Sequence, residues 1–255
     1  MAGRELTFDE LRVVVHPDTA SLASEAAEEV AAVVLAAVAE RGEANAMFAT
    51  GNSQLAFVEA LVARTDISWE SVRMFHMDEY VGVGADHPAG FRRWIRERLA
   101  ERLPVREVHY IDGTATDPEA EAARYAALLA NHPLDLCCLG IGENGHLAFN
   151  DPPVANFDDP VDVKVVELDH ACRQQQVGEG HFPTLADVPP NAITVTVPGL
   201  LRSRRVVAIV PEARKAEAVR AALTGPVATP CPASILRRTP HATLHLDAGS
   251  ASLLD

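Results

Sequence analysis

Ala46-Met47-Phe48-Ala49-Thr50-Gly51-Asn52-Ser53-Gln54-Leu55-Ala56-Phe57-Val58-Glu59-Ala60-Leu61-Val62 decides the fold class. Ala46 to Ala49 is an apolar run too short for a helix. Thr50 to Ser53 are residue types that break it into a tight polar turn. Leu55, Phe57, Val58, Leu61 and Val62 then recur at helical spacing. The reading is strand, turn, helix. The unit repeats in both directions. Toward the N-terminus lie a strand at Leu11–Val15 and an amphipathic helix at Thr19–Arg41, closed by Gly42 in a C-terminal cap position. Toward the C-terminus come a strand at Val72–Met77 with a loop after it, a helix at Phe91–Leu103 and a strand at Val108–Ile111. A helix at Asp117–Asn131 carries Pro118 in its first turn, and the buried strand Leu134–Leu139 follows. Beyond the irregular segment Asp151–Pro190, strands at Ile193–Val197 and Val206–Val210, a helix at Ala213–Leu223 and a strand at Ala242–Leu246 continue the pattern. Such alternation predicts an α/β fold, a mostly parallel sheet with helices on both faces. Ligands in that class bind at the carboxyl ends of the strands. With no internal repeat and no linker, residues 1–255 are expected to form one domain.

Composition narrows the function. At 48% hydrophobic and 23% charged residues, the chain of 255 residues is neither disordered, collagenous nor a coiled coil. Its net charge of −14 argues against a nucleic-acid partner, because phosphate backbones are held by clustered Lys and Arg. The longest apolar run, Val30 to Ala39, is too short to cross a bilayer, and Met1 to Asp18 has no signal-type segment. The reading is a cytoplasmic protein with no membrane partner. Cys137 and Cys138 are adjacent, so on a strand they face opposite ways and do not pair. None of the four cysteines has metal-ligand spacing, which reads as buried structural thiols and no metal site.

Four constellations carry possible chemistry. Thr50-Gly51-Asn52-Ser53, between strand and helix, offers amide N–H groups, hydroxyls and a helix N-terminus to a phosphate; the plainer alternative is an ordinary capped turn. Phe75-His76-Met77-Asp78-Glu79-Tyr80 places two acids just past a strand end. There a partly desolvated carboxylate can move a proton between carbons; alternatively one acid caps the next turn and the other is solvated. Gly140-Ile141-Gly142-Glu143-Asn144-Gly145-His146 matches G-x-G-x-x-G, but Pro152-Pro153 cuts off the helix a dinucleotide site requires. What remains is a glycine turn presenting His146, with Asp151 five residues on to orient it. Finally, only Lys164 and Lys215 among the 22 basic residues are lysine, and Lys215 stands near a helix start after a strand, which suits a phosphate contact. A solvated helix residue is its alternative.

Phe75-His76-Met77-Asp78-Glu79-Tyr80-Val81-Gly82 with His87-Pro88, and Gly142-Glu143-Asn144-Gly145-His146-Leu147-Ala148-Phe149-Asn150-Asp151-Pro152, resemble the glucosamine-6-phosphate deaminase family, also called glucosamine/galactosamine-6-phosphate isomerases. The resemblance extends from the Thr50 turn to about Asp247. It implies a modified Rossmann-like sheet and conversion of glucosamine 6-phosphate and water to fructose 6-phosphate and ammonia, with no cofactor. It further implies that Asp78 is the enolisation base and His146 the ring-opening group. Asp151 stands where the family has the glutamate that supports the histidine. Thr50, Gly51, Asn52, Ser53 and Lys215 would hold phosphate, Gly142 would contact the substrate, and Asn144 would join Asp78, His146 and Asp151 in the catalytic set.

The chain departs from the family in three places. Asn144 replaces an aspartate, and an amide positions an imidazole without stabilising its charge. In a serine-protease triad, the corresponding Asp-to-Asn change costs about 10⁴ in turnover. Asp151 is shorter than the family's glutamate, and Glu143 is a candidate substitute charge. No arginine aligns cleanly with the family's phosphate-binding arginine, although Arg173 is nearby. A divergent branch is expected, with the choice of hexosamine phosphate open, the family's allosteric site not obviously reproduced around Val154, and a homo-oligomer left open. Two alternatives stand beside it: a 6-phosphogluconolactonase, in which Thr-Ala-Ser-Leu-Phe typically follows the histidine where this chain has Leu147-Ala148-Phe149-Asn150, and a sugar-phosphate-binding module without turnover.

Overall fold

A computed structural model describes residues 3–178 and 180–254; Met1, Ala2, Glu179 and Asp255 of the expected 1–255 span lie outside the described residues. In chain order the elements are β1 (Arg4–Phe8), β2 (Leu11–His16), α1 (Thr19–Arg41), β3 (Ala44–Phe48), α2 (Leu55–Val62), β4 (Val72–His76), β5 (Asp78–Tyr80), α3 (Phe91–Ile95) and β6 (Glu107–His109). Then come α4 (Pro118–Asn131), β7 (Leu136–Leu139), β8 (Val163–Glu167), α5 (His170–Gly178), β9 (Asn191–Val195), α6 (Val197–Leu201), β10 (Arg205–Val210), α7 (Ala216–Thr224) and β11 (Ala242–Asp247). Eight strands form one sheet in the order β1-β2-β11-β10-β7-β3-β4-β6, parallel except for β1.

Alternation along the buried strands divides the core in two. Ala46, Phe48, Cys138, Val207 and Ile209 face α1, α2 and α3, whereas Met47, Cys137, Leu139, Val206, Ala208 and Val210 face α4 and α7. Adjacent Cys137 and Cys138 therefore enter opposite layers, and all four thiols are free. The strand order reverses around β7, which lies between β10 and β3. The carboxyl ends of β3, β7 and β10 consequently open into the crevice where doubly wound sheets bind ligands.

The sequence reading needs correction at several elements. β1 precedes the first expected strand and pairs with it antiparallel. The helix expected over Phe91–Leu103 is α-helical only to Ile95 and continues as a π-turn over Arg96–Ala100. The strand read at Ile193–Val197 ends at Val195, because Thr196 caps α6 through its hydroxyl (Gly199 N–H to Oγ1, 3.2 Å). It also lies outside the parallel sheet. β5, β9 and β8 form a separate antiparallel sheet against α4, and the segment left irregular contributes β8 and α5 to the fold.

This second sheet positions the acids. The chain leaves the main sheet at His76 and enters the small one at Asp78, with Met77 O accepting from Val195 N at 2.8 Å. Buried Tyr125 of α4 pins the crossing: its hydroxyl accepts from His76 N (3.1 Å) and lies 2.8 Å from His76 O and 3.1 Å from His109 O. Among the described residues, no helix is long and apolar enough to cross a membrane.

Tyr125→Phe removes one hydroxyl and orphans buried backbone groups at the end of β4. A loss of about 1–3 kcal/mol is expected, read as a lower urea midpoint with unchanged slope; an unchanged midpoint would show that the crossing does not depend on this hydroxyl.

Candidate active site

The turn after β3 is held open from below. Gly51 sits at φ +101°, a conformation that disfavours side chains, and Asn52–Gln54 then form a 3₁₀ turn into α2. Buried Gln54 points its amide down to Ile209 O on β10 (3.0 Å). The turn is thus tied to the strand across β7, leaving Thr50, Gly51, Asn52 and Ser53 to line a cleft. Lys215 lines the same cleft although only 4% exposed. Its turn is set by Glu212, strained at φ +80°, whose N–H donates to the Asp247 carboxylate at the end of β11 (3.0 Å). Sequence reasoning missed both Gln54 and Asp247. Neither touches the cleft, and their roles arise from strands far apart in the chain.

The loop after β7 supplies the imidazole. No helix opens at its third glycine; Leu147 and Asn150 form an isolated bridge instead, so the structure lacks the dinucleotide arrangement. Gly145 adopts φ +85°, and Gly142 N–H bonds back to His146 O at 3.0 Å, folding His146 over Gly142. A β-carbon at Gly142 would fall 2.2 Å from His146 Nε2, so the ring occupies the space that only glycine leaves. The far end of the loop is fixed by Asn150, which donates to Leu147 O and Val195 O, each at 2.8 Å.

Behind the ring, His146 Nδ1 lies 2.9 Å from Asp151 Oδ1. Asp151 is 1% exposed, yet despite the cost of burial its carboxyl stays below the usual range because His146 and Asn144 hydrogen-bond its charged form. An ionised carboxylate only accepts, so Nδ1 carries a proton and, in the neutral ring, Nε2 presents its lone pair. Asn144 completes the support: Nδ2 donates to Asp151 Oδ1 (2.8 Å) and Oδ1 accepts from His146 N (3.0 Å). Asn144 and Asp151 do not line the cleft and act through His146. Asparagine suits this place, since a second carboxylate there would face Asp151 with a like charge. Glu143, the candidate substitute charge, points away and pairs with Arg214 at 3.0 Å.

Asp78 and Glu79 part company. Glu79, 1% exposed, accepts from Tyr80 N (2.9 Å), Phe91 N (3.2 Å) and Arg92 N (2.7 Å), capping α3 as the plainer alternative had it. Burial nevertheless lifts its carboxyl to about 7. Asp78 is not solvated: it is 6% exposed and faces the cleft. Burial first, then the charge of Glu79, raises its carboxyl well above the ordinary aspartate value. A desolvated carboxylate of raised basicity is what removal of a proton from carbon demands.

Other expectations fall away. Arg173 does not line the cleft; its Nη2 donates to Leu185 O (2.7 Å) and Val188 O (3.1 Å), bracing the segment after α5. Lys164 is structural, clamping Val154 O and Asp159, each at 2.7 Å. The structure adds Met77, Phe91, Phe149, Gln175, Gln176 and His181 to the cleft wall. It also sets Cys172 of α5 beside the His146–Asp151 pair. Met77 and Phe149 stand inside the quoted motifs, but no motif marked Cys172, Gln175, Gln176 or His181, because α5 and the residues after it come from the segment without legible periodicity.

Residues 17–245 match the family described as Glucosamine-6-phosphate isomerases/6-phosphogluconolactonase. The chain belongs to this family. It is 35% identical to a glucosamine-6-phosphate deaminase of Listeria innocua over 214 residues, 84% of this chain and 89% of the relative. It is also 35% identical to one of Streptococcus pneumoniae over 207 residues, 81% and 86% of the two chains. A solved structure of a monomeric glucosamine-6-phosphate deaminase, 29% identical, superposes with a TM-score of 0.85 over 94% of this chain and 99% of that one. A 6-phosphogluconolactonase from Shewanella baltica, 20% identical, shares the fold with a TM-score of 0.76 over 97% and 100%. The family's Rossmann-like architecture is therefore present, as the sequence motifs implied.

Two outcomes are expected. Gly142→Ala displaces the imidazole while leaving the backbone unstrained, so turnover falls at least about tenfold at an unchanged melting temperature; full activity would mean that the ring has room elsewhere. Glu79→Gln keeps a cap oxygen but removes the charge beside Asp78. The aspartate then ionises more readily, and the acid limb of kcat/KM moves to lower pH. An unmoved or raised limb would separate that limb from Asp78.

Proposed function

We propose that the chain is a single-domain amino-sugar-phosphate deaminase/isomerase that converts glucosamine 6-phosphate, or a related hexosamine phosphate, and water to the ketose phosphate and ammonia. The observation that carries this reading is one cleft lined by both the Thr50–Ser53 turn with Lys215 and the Asp78 and His146 side chains. The turn and the buried ammonium suit a phosphate; the carboxylate and the imidazole suit acid–base work on the sugar's other end.

In this mechanism His146 Nε2 takes the proton of the anomeric hydroxyl and returns a proton to the ring oxygen as the C1–O5 bond breaks, giving the open-chain aldehyde. Asp151 stabilises the transient imidazolium, as its buried negative charge on Nδ1–H allows. Asp78 then removes the proton from C2 while O1 takes a proton from the substrate's own C2 ammonium, forming the enolamine; Asp78 delivers its proton to C1, and the nitrogen lone pair leaves an iminium at C2. Water adds to C2 and ammonia leaves, yielding fructose 6-phosphate. Substrates and products stand at the same oxidation level, so no redox cofactor is called for. Every proposed group comes from one chain, so the chemistry needs no second copy. Free thiols and the absence of a membrane-spanning helix among the described residues are in keeping with action in the cytoplasm.

The test is an assay of glucosamine and galactosamine 6-phosphates for ammonia and ketose phosphate. Ammonia from at least one is expected; none from either, or hydrolysis of 6-phosphogluconolactone instead, overturns the reading. Asp78→Asn is expected to abolish ammonia release with substrate binding largely kept, and Asp151→Asn to lower kcat by about 10²–10⁴. An active Asp78→Asn protein contradicts its role as base.

A further inference from the structure

The His146–Asp151 pair has a third neighbour that the reaction does not use. Cys172, on the first turn of α5, is 1% exposed, and its sulfur, a ring nitrogen of His146 and a carboxylate oxygen of Asp151 all lie within 4.8 Å of one another. Asp151 Oδ1 serves His146 and Asn144, but Oδ2 is buried and receives no hydrogen bond. The Cys172 thiol lies near this carboxylate and gives it a weak sulfur hydrogen-bond interaction. Burial and the Asp151 charge hold the thiol proton on, well above the usual range. A buried carboxylate oxygen without a well-formed hydrogen bond calls for an explanation, and the carboxylate it belongs to stands beside an imidazole and a sulfur.

We propose that His146, Asp151 and Cys172 form a binding site for a thiophilic divalent cation, of the zinc and cadmium class, which switches the enzyme off. One nitrogen, one oxygen and one sulfur ligand are the donor set such ions select. Bond lengths of about 2.0–2.3 Å imply ligand separations of about 3.6 Å in a tetrahedron, so the sulfur, within 4.8 Å of the other two, needs to approach by only about 1 Å while the 2.9 Å His146–Asp151 contact widens. The fourth position is left to water. Asn144, which donates to Asp151, also lines a neighbouring hollow with Glu143, His170, Gln174 and Gln175. On binding, the thiol proton passes to solvent and the sulfur lone pair forms the metal bond; a bound cation deprotonates a thiol that would otherwise keep its proton. His146 coordinates through Nδ1, so its proton moves to Nε2. The nitrogen that should face the sugar as a base becomes a donor, and the Asp151 hydrogen bond opens.

The binding claim stands on geometry alone; the inhibition claim rests on the deaminase reading, and the two are tested separately. Titration of the intact protein with Cd²⁺ is expected to raise an ultraviolet thiolate-to-cadmium band that saturates at one equivalent. The band should be absent in both Cys172→Ala and Cys172→Ser and kept in Cys231→Ser. No band in the unmodified protein, or the same band in the Cys172 variants, overturns the site. In the ammonia assay, Zn²⁺ should inhibit and a chelator restore activity, with Cys172→Ser turning over normally and at least tenfold less sensitive. Equal sensitivity overturns the inhibition mechanism. If no hexosamine phosphate yields ammonia, the deaminase reading fails while the cadmium titration still decides the site.

Discussion

The site depends on one hydrogen bond, from His146 Nδ1 to Asp151 Oδ1 at 2.9 Å. Because the carboxylate is buried and ionised, it dictates where the imidazole proton sits and hence what the cleft receives: a lone pair on Nε2. Much of the surrounding loop serves that contact. Gly142 leaves space for the ring, Asn144 ties the carboxylate to the His146 backbone, and Asn150 anchors the loop to β9. Where the resemblance has an aspartate, Asn144 donates to Asp151 and accepts from the His146 backbone. The charge beside the imidazole is supplied by Asp151, and the amide donates to that charge instead of competing with it.

A second constraint separates two adjacent acids. Asp78 and Glu79 begin the same three-residue strand, where successive side chains point to opposite sides. One meets the N-terminus of α3 and is consumed by three N–H groups. The other meets the cleft and has little but desolvation and its neighbour's charge. Strand periodicity thus assigns structural work to one carboxylate and leaves the other basic.

The sequence made the parallel sheet legible because each β-α unit is local: an apolar run, a polar turn and a helix of the right period suffice, as at Ala46–Val62. The opposite burial of Cys137 and Cys138 follows from the same periodicity. The small sheet was not legible. Its strands β5, β8 and β9 meet only through long-range pairing, β5 has three residues, and β8 lies in a stretch broken by prolines. The candidate residues Thr50–Ser53, Asp78, Gly142, His146 and Lys215 do converge on one cleft, with Asn144 and Asp151 behind it. What composition cannot reveal is support from afar, such as Gln54 reaching β10, Asp247 setting the Lys215 turn and Cys172 arriving on α5.

The most direct measurement is the tautomeric state of His146, read from the ¹⁵N shifts of its ring nitrogens at neutral pH and assigned by their loss in His146→Gln. The account predicts a protonated Nδ1 and an unprotonated Nε2. A proton on Nε2 with Nδ1 bare would contradict it, since Asp151 would then face a lone pair and the cleft would hold no imidazole base.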